Sequence, residues 1–438
     1  MHLIWENTIK NLVLHWTGDF KGLSDGREEY ELGSEVWKAV GQATAAAGRT
    51  IPAAFGGSPP NPEKDKSACT ADSWSLWTLY IGPVLLARRF KKRKYYDHFV
   101  ALVKLLNLCL QFEMSDDDIE EVRVGFIDWV QAYEKIYYQH DPARVSTCPV
   151  TIHALLHISD YIKAAGPVWA SWAFPMERFC GYLQPTIRSR RFPYANIDRH
   201  ILAVARLDHI KKVYSAEESL ALTRRRVDQG TEISGYTTCK FLRPCTPTRT
   251  RDIAVLESVI GALATRFNRS AAVIRSALPT HAELWHRIKI LPDGDVIHAD
   301  GSYKARRDTR DATFVRYDTI VDKNARFPRR PVVNELRSFF GQLRYIIVLH
   351  FPICQSLGLQ EPTPIALAAI RSCPIIKSHK DLDIHYYGKE GAIDVLDLMC
   401  VQCVVGRVKD GHGWAIIDRS GSLSRAIYAP REEEGGNS

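Results

Sequence analysis

Apolar residues at positions 4, 5, 9, 12, 13 and 16, in LIWENTIKNLVLHW, recur at helical spacing and mark one buried face. Similar patterning continues to about Tyr214. Its clearest instance begins at Ser115, in SDDDIEEVRVGFIDWVQAYEKIYYQH. Ser115 can cap this helix. Asp116, Asp117, Asp118, Glu120 and Glu121 load the first turns, where the helix dipole favours negative charge. Ile119, Val122, Phe126, Trp129, Val130 and Tyr133 form its buried stripe, so the acidic run reads as helix-start chemistry rather than a metal site. Further helices are predicted from Ala71 to Leu86, from Tyr95 to Phe112, and over CPVTIHALLHISDYIKAAGP, which Gly166 and Pro167 end. A packed apolar helix starts at Pro175, and a last one covers Ala195 to Tyr214. Residues 51–69 hold four prolines and a Gly-Gly pair and read as a loop.

After residue 228 the period changes. Residues 229–284 are polar and turn-rich around one short helical piece, DIAVLESVIGALATRF, and read as a linker. From about residue 285, ATFVRYDTIV, SFFGQLRYIIVLHF, IDVLDLMCVQCVVGRV and WAIIDRS read as strands, with Asp410-Gly411 as a hairpin turn. Short strands at this density suggest a small barrel or curled sheet. The expectation is an α+β protein: a mainly helical N-terminal half, then a β-rich, barrel-like domain over 285–430 and a disordered tail at 431–438.

The chain of 438 residues carries a net charge of +8, a balance that favours an anionic partner without naming one. The longest nearly apolar run, Leu76 to Ala87, is interrupted by Gly82 and Pro83 and falls short of the roughly 20 residues that span a bilayer. No membrane association is expected. The start, MHLIWENTIK, lacks a basic leader region, so the chain is not expected to be secreted. Ten scattered cysteines among apolar neighbours read as reduced, buried thiols.

Two cationic segments stand out. Arg88, Arg89, Lys91, Lys92, Arg93 and Lys94 give six basic residues in seven. They suit either phosphate contact or nuclear import, with the aromatics of YYDHF available for base stacking, or else a solvated helix C-terminus favoured by the dipole. Arg188, Arg190 and Arg191 can clamp phosphate through paired N–H donors. They can equally bridge to a neighbouring carboxylate such as Asp198, and Phe192 and Pro193 favour a loop that packs down. His153 and His157 have metal-ligand spacing but lack the zincin glutamate, and read as half-buried core residues. His281 and His286 are weaker candidates. Cys400 and Cys403 form a lone C-x-x-C in a predicted strand, where positions three apart face opposite ways, so no zinc site is expected. No phosphate-loop, dinucleotide or nucleophile-elbow motif occurs, and no small-molecule substrate is evident.

The stretches MHLIWENTIKNLVLHWTGDFKGL, CPVTIHALLHISDYIKAAGPVWASWAFPMERFCGYLQPTIRSRR and YANIDRHI resemble the C-terminal half of CACTA (En/Spm) transposases of basidiomycete fungi. The resemblance covers about residues 1–230, centred on Trp172 to Arg191. It implies that residues 1–50 are the end of a catalytic core. It also implies that 70–228 form the helical domain of unassigned function that follows that core. Family members are expected to use divalent metal on an RNase-H-like fold. Carried over, Glu6 is the last metal-binding carboxylate and His2 its neighbour one helical turn away. The family's two earlier aspartates would precede Met1, so a truncated copy without metal cofactor or catalysis is expected. Its expected role is nuclear (cytoplasmic as the alternative), with DNA or other transposase subunits as partners. Other readings are a β-rich module that binds a chromatin-type peptide on a helical scaffold, and an active metal-dependent nuclease.

Overall fold

The computed structural model describes residues 2–23, 28–221, 230–292, 294–302, 310–327 and 329–419. A π-helical turn over His2–Thr8 runs into α1 (Ile9–Thr17), which ends at Gly18 with φ 73. α2 (Ser34–Ala47) follows. The helix expected from Ala71 to Leu86 forms as α3 (Ala71–Leu76), a π turn over Trp77–Ile81 and α4 (Gly82–Leu85). Pro83, which has no amide proton to donate, lies just past the π turn. α5 (Arg93–Cys109) packs on α6 (Asp116–Tyr133). The Ser115 hydroxyl accepts the Asp118 amide at 3.2 Å, and the Asp118 carboxylate accepts the Ser115 amide at 2.8 Å, a reciprocal cap. The next predicted helix is broken by a 3-10 turn over Leu155–His157 into α7 (Val150–Ala154) and α8 (Ile158–Ala165). The core of this half is aromatic: Trp16, Trp77, Phe99, Trp129, Tyr133 and Tyr137 are buried, and the Trp16 indole donates to the Tyr137 hydroxyl at 3.0 Å. α9 (Phe174–Leu183) and α10 (Pro193–Val213) contain no buried residue. The packed helix expected after Pro175 is therefore an exposed one.

The segment 229–284, expected as a linker, is part of the β structure. It contains β1 (Gly230–Thr231), β2 (Cys239–Arg249), α11 (Leu256–Phe267), α12 (Ala271–Ala277) and the start of β3 (His281–Ile290). β2 escapes pattern reading for a physical reason. Its outer neighbour β1 has two residues, so the second half of β2 stays exposed and polar, and Pro244 and Pro247 are tolerated near a sheet edge. The remaining strands are β4 (Val296–His298), β5 (Phe314–Asp322), β6 (Asn334–Phe351), β7 (Thr363–Ser372), β8 (Ile375–Ser378), β9 (Ile384–Tyr387), β10 (Ile393–Asp397), β11 (Val401–Val404), β12 (Gly406–Asp410) and β13 (Gly413–Ile417). Residues 420–438, including the tail expected to be disordered, lie outside the described residues. The α+β class holds.

The strands divide between two antiparallel sheets. The larger runs β1-β2-β3-β6-β5-β11, with β7 on the other side of β6, β10 beyond β7, and β4 on β3. From Phe340 onward its long strand β6 is buried on both faces. Ile346 and Val348 meet Phe241 and Trp285, while Ile347 and Leu349 lie under Val259 and Leu263 of α11. That double burial explains the unbroken apolar run in its sequence. The smaller sheet, β12-β13-β9-β8, joins the halves. Leu382, Ile384, Val408, Ala415 and Ile417 complete the helical core, whereas Tyr387 and Ile416 pack with Phe314 and Phe340 of the larger sheet. The buried Arg310 guanidinium adds a polar tie, donating to the carbonyls of Ile51, Pro52 and Gly56 at 2.8, 2.8 and 2.6 Å.

Candidate nucleic-acid interface

The run RRFKKRK forms the turn between α4 and α5. Phe90 in its middle is buried and packs edge-on against Trp16, which pins the turn and leaves Arg88, Arg89, Lys91, Lys92, Arg93 and Lys94 exposed. The dipole explanation covers part of this run at most. Arg88 and Arg89 follow the C-terminus of α4, but Arg93 and Lys94 occupy the first turn of α5, where positive charge is disfavoured. Lys92 pairs with Glu29 at 2.5 Å and Arg93 with Asp97 at 3.2 Å. Arg88, Arg89, Lys91 and Lys94 have no ion-pair partner among the described residues. Tyr95 and Tyr96, expected to stack on bases, are buried and unavailable for that role.

A cleft of about 670 Å³ opens beside this turn. Arg88, Lys91 and Arg93 line one wall; Lys377 and Lys380, from β8 and the loop after it, line the other. Five cations thus face one lining carboxylate, Asp410, and Lys377 and Lys380 also lack ion-pair partners among the described residues. The walls are joined by a defined chain of hydrogen bonds. The Asp381 amide donates to His379 Nδ1 at 3.1 Å, which leaves Nε2 to donate to the Tyr96 hydroxyl at 3.1 Å. That hydroxyl in turn donates to the Pro83 carbonyl at 2.7 Å. The chain needs a neutral imidazole. Burial holds the His379 pKa below its ordinary value; Lys377 and Arg93 push the same way, against Asp381 and Asp97. Five cations on two facing walls, four of them without an ion-pair partner among the described residues, suit a strand of phosphates.

Arg188, Arg190 and Arg191 lie in the connection between α9 and α10, all exposed. No ion pair joins them to Asp198, and Phe192 is 59% exposed, so the loop does not pack down. Arg191 instead stacks on the Phe192 ring at 5.3 Å. This second cationic element projects on helices with no buried side chain.

Glu6 and His2 are brought together, Oε2 to Nδ1 at 2.5 Å, and the other His2 nitrogen lies 3.4 Å from Glu177 of the FPMER stretch. The His2 bond holds the Glu6 carboxyl below its usual range. The two carboxylates sit on opposite edges of one imidazole rather than converging on a point. This donor set does not fit a pair of divalent cations, and among the described residues no group of three or more His, Cys, Asp or Glu is arranged to hold a metal. His153 and His157, expected in the core, are exposed, with their Nε2 atoms 3.3 Å apart. His281 and His286 bond to Thr280 and Thr246. Cys400 closes a 3-10 turn and Cys403 lies buried in β11; all ten cysteines are free thiols, five of them not buried. No helix among the described residues is long and apolar enough to cross a membrane.

Comparison with protein-family models, curated proteins and solved structures finds no match to this chain. Lys377, His379 and Lys380 escaped sequence reading because KSHKDLD is too short and mixed in charge to signal alone. The available signal was a second basic segment within the β-rich half.

Proposed function

We propose that the protein binds duplex DNA through its phosphate backbone. The cleft between the α4–α5 turn and β8 serves as the principal contact, and Arg188, Arg190 and Arg191 as a second. One observation carries this reading: five cations from opposite halves of the chain converge on one cleft with a single lining carboxylate. The resemblance to CACTA transposases supports DNA over other polyanions. It also supplies the setting: a nuclear, transposon-derived protein that acts alone or beside transposase subunits. The role is binding, because the carried-over Glu6 is engaged by His2.

The test is equilibrium binding to duplex DNA between 50 and 200 mM salt. Each phosphate contact contributes about 0.9 to the slope of log affinity against log salt. The K377Q/K380Q double variant therefore binds more weakly and loses about 2 from the slope. An unchanged slope removes the cleft from the interface, and undetectable binding of the unaltered protein at 50 mM salt ends the proposal.

A further inference from the structure

Strands β5 and β6 continue together past the body of the larger sheet. β11 accompanies β5 over residues 315–317, and β7 accompanies β6 from Gly341 onward. Between these limits the pairs Asp318↔Ser338 to Asp322↔Asn334 have, among the described residues, no strand on either side. Five pairs at about 3.4 Å each make an arm about 17 Å long. Ile320 and Leu336, partners across it, are 69% and 58% exposed.

Polar groups within the tip's described residues bond to one another. Asp322 Oδ1 accepts the amides of Asn324 and Val333 at 2.8 and 2.9 Å, and the Asn324 side chain donates to the Pro331 carbonyl at 2.7 Å. That geometry leaves Lys323, Arg326, Arg329 and Arg330 exposed, with no ion-pair partner among the described residues. Arg330 stacks on the exposed Phe327 at 4.6 Å. The arm's carboxylates are all engaged: Asp318 with Ser338, Asp322 in the turn, and Glu335 with Arg337 at 2.7 Å. The outward charge of the tip is thus four positive groups and no free negative one.

We infer that this arm enters the major groove of duplex DNA. The groove, about 12 Å wide, admits a two-stranded ribbon. The tip cations meet the phosphates at the groove walls, while Ile320 and Leu336 offer apolar contact to thymine methyl groups on the floor. Charge decides for nucleic acid over a second copy of the chain, because two such tips repel each other. The inference rests on the proposed DNA binding and adds the element that reaches the bases.

The experiment is dimethyl sulfate probing of guanine N7, a major-groove atom, on duplex DNA saturated with the full chain. Wild type and K377Q/K380Q both protect N7 at saturation. R326A/R329A/R330A loses that protection, binds at least tenfold more weakly at 100 mM salt, and keeps the wild-type thermal midpoint because these side chains are exposed. If wild type binds with a steep salt slope but leaves N7 reactive, the arm inference fails while the cleft reading stands. If no binding occurs, both fail. If sedimentation shows a wild-type dimer that R326A/R329A/R330A or I320K converts to a monomer, the arm is a self-association surface and the inference is overturned.

Discussion

Arg88 takes φ 64, a left-handed conformation that costs a side-chain-bearing residue about 1–2 kcal/mol. The turn accepts that strain and directs Arg88 into the cleft. Glycine removes the strain but adds unfolded-state freedom worth about 0.5–1 kcal/mol. Arg88→Gly is therefore expected to leave stability unchanged, or raise it by up to about 1 kcal/mol, while weakening DNA binding severalfold. A chemical melt and a binding titration on the same variant separate the two effects; a loss of stability would show that Arg88 has a structural role. Two buried histidines make a different prediction. Burial lowers His15 to about 3 and His98 to about 4. His98 stacks on Trp129 at 4.5 Å, and among the described residues its Nδ1 has no partner to take up a second proton's charge. An unfolded histidine titrates near 6.5, so between about pH 6.5 and 4 the unfolded chain holds more protons. Their stabilisation is complete above that window and is lost as pH falls through it, by up to about 1.4 kcal/mol per pH unit for each residue. His98→Phe is expected to make the decline shallower by that amount, measured as urea midpoints from pH 7 to 4. Parallel wild-type and variant curves would contradict the assignment.

At the scale of elements, α9 and α10 stand apart, since neither contributes a buried residue. Met176, Phe179, Tyr182 and Tyr194 are each about half exposed or more. Replacing Arg188, Arg190 and Arg191 together by glutamine is expected to leave the thermal midpoint in place and reduce the salt slope of DNA binding by about 3. A lowered midpoint would show that the loop carries structural ion pairs after all. The same region shows where sequence reading succeeds and fails. α6 was legible because its signals are local: a cap at Ser115, acids in the first turn and a stripe ending at Tyr133. Pro175 likewise marks the start of α9. Phe192 suggested packing, but whether a loop packs depends on what lies opposite, and among the described residues Phe192 stays exposed. β2 was hidden for the related reason that an outer strand exposes its polar end. The cleft was half legible. Its α4–α5 wall is a conspicuous charge run, whereas Lys377 and Lys380 lie nearly 290 positions later and meet it only through the tertiary fold.

For the whole molecule, the smaller sheet makes folding and the proposed binding interdependent. Ile384 and Val408 complete the helical core while Tyr387 and Ile416 pack on the larger sheet, so the halves share one apolar interior. The expected consequence is a single cooperative unfolding transition. Ile384→Ala, at a site 2% exposed, is expected to destabilise the entire chain by about 2–5 kcal/mol rather than loosen one half. The two cationic walls exist as a cleft only while that sheet is docked. On the proposed reading DNA binds the docked state and not the separated one, so it would stabilise the fold by mass action, by about 2.7 kcal/mol at a hundred times its dissociation constant. Duplex DNA at 50 mM salt is therefore expected to raise the single thermal midpoint of the wild type. The increment should vanish at high salt, where counterion release no longer favours binding, and shrink in K377Q/K380Q. Two resolved transitions, with DNA shifting one alone, would show that the halves fold separately and that the ligand is held by one wall of the cleft without the other.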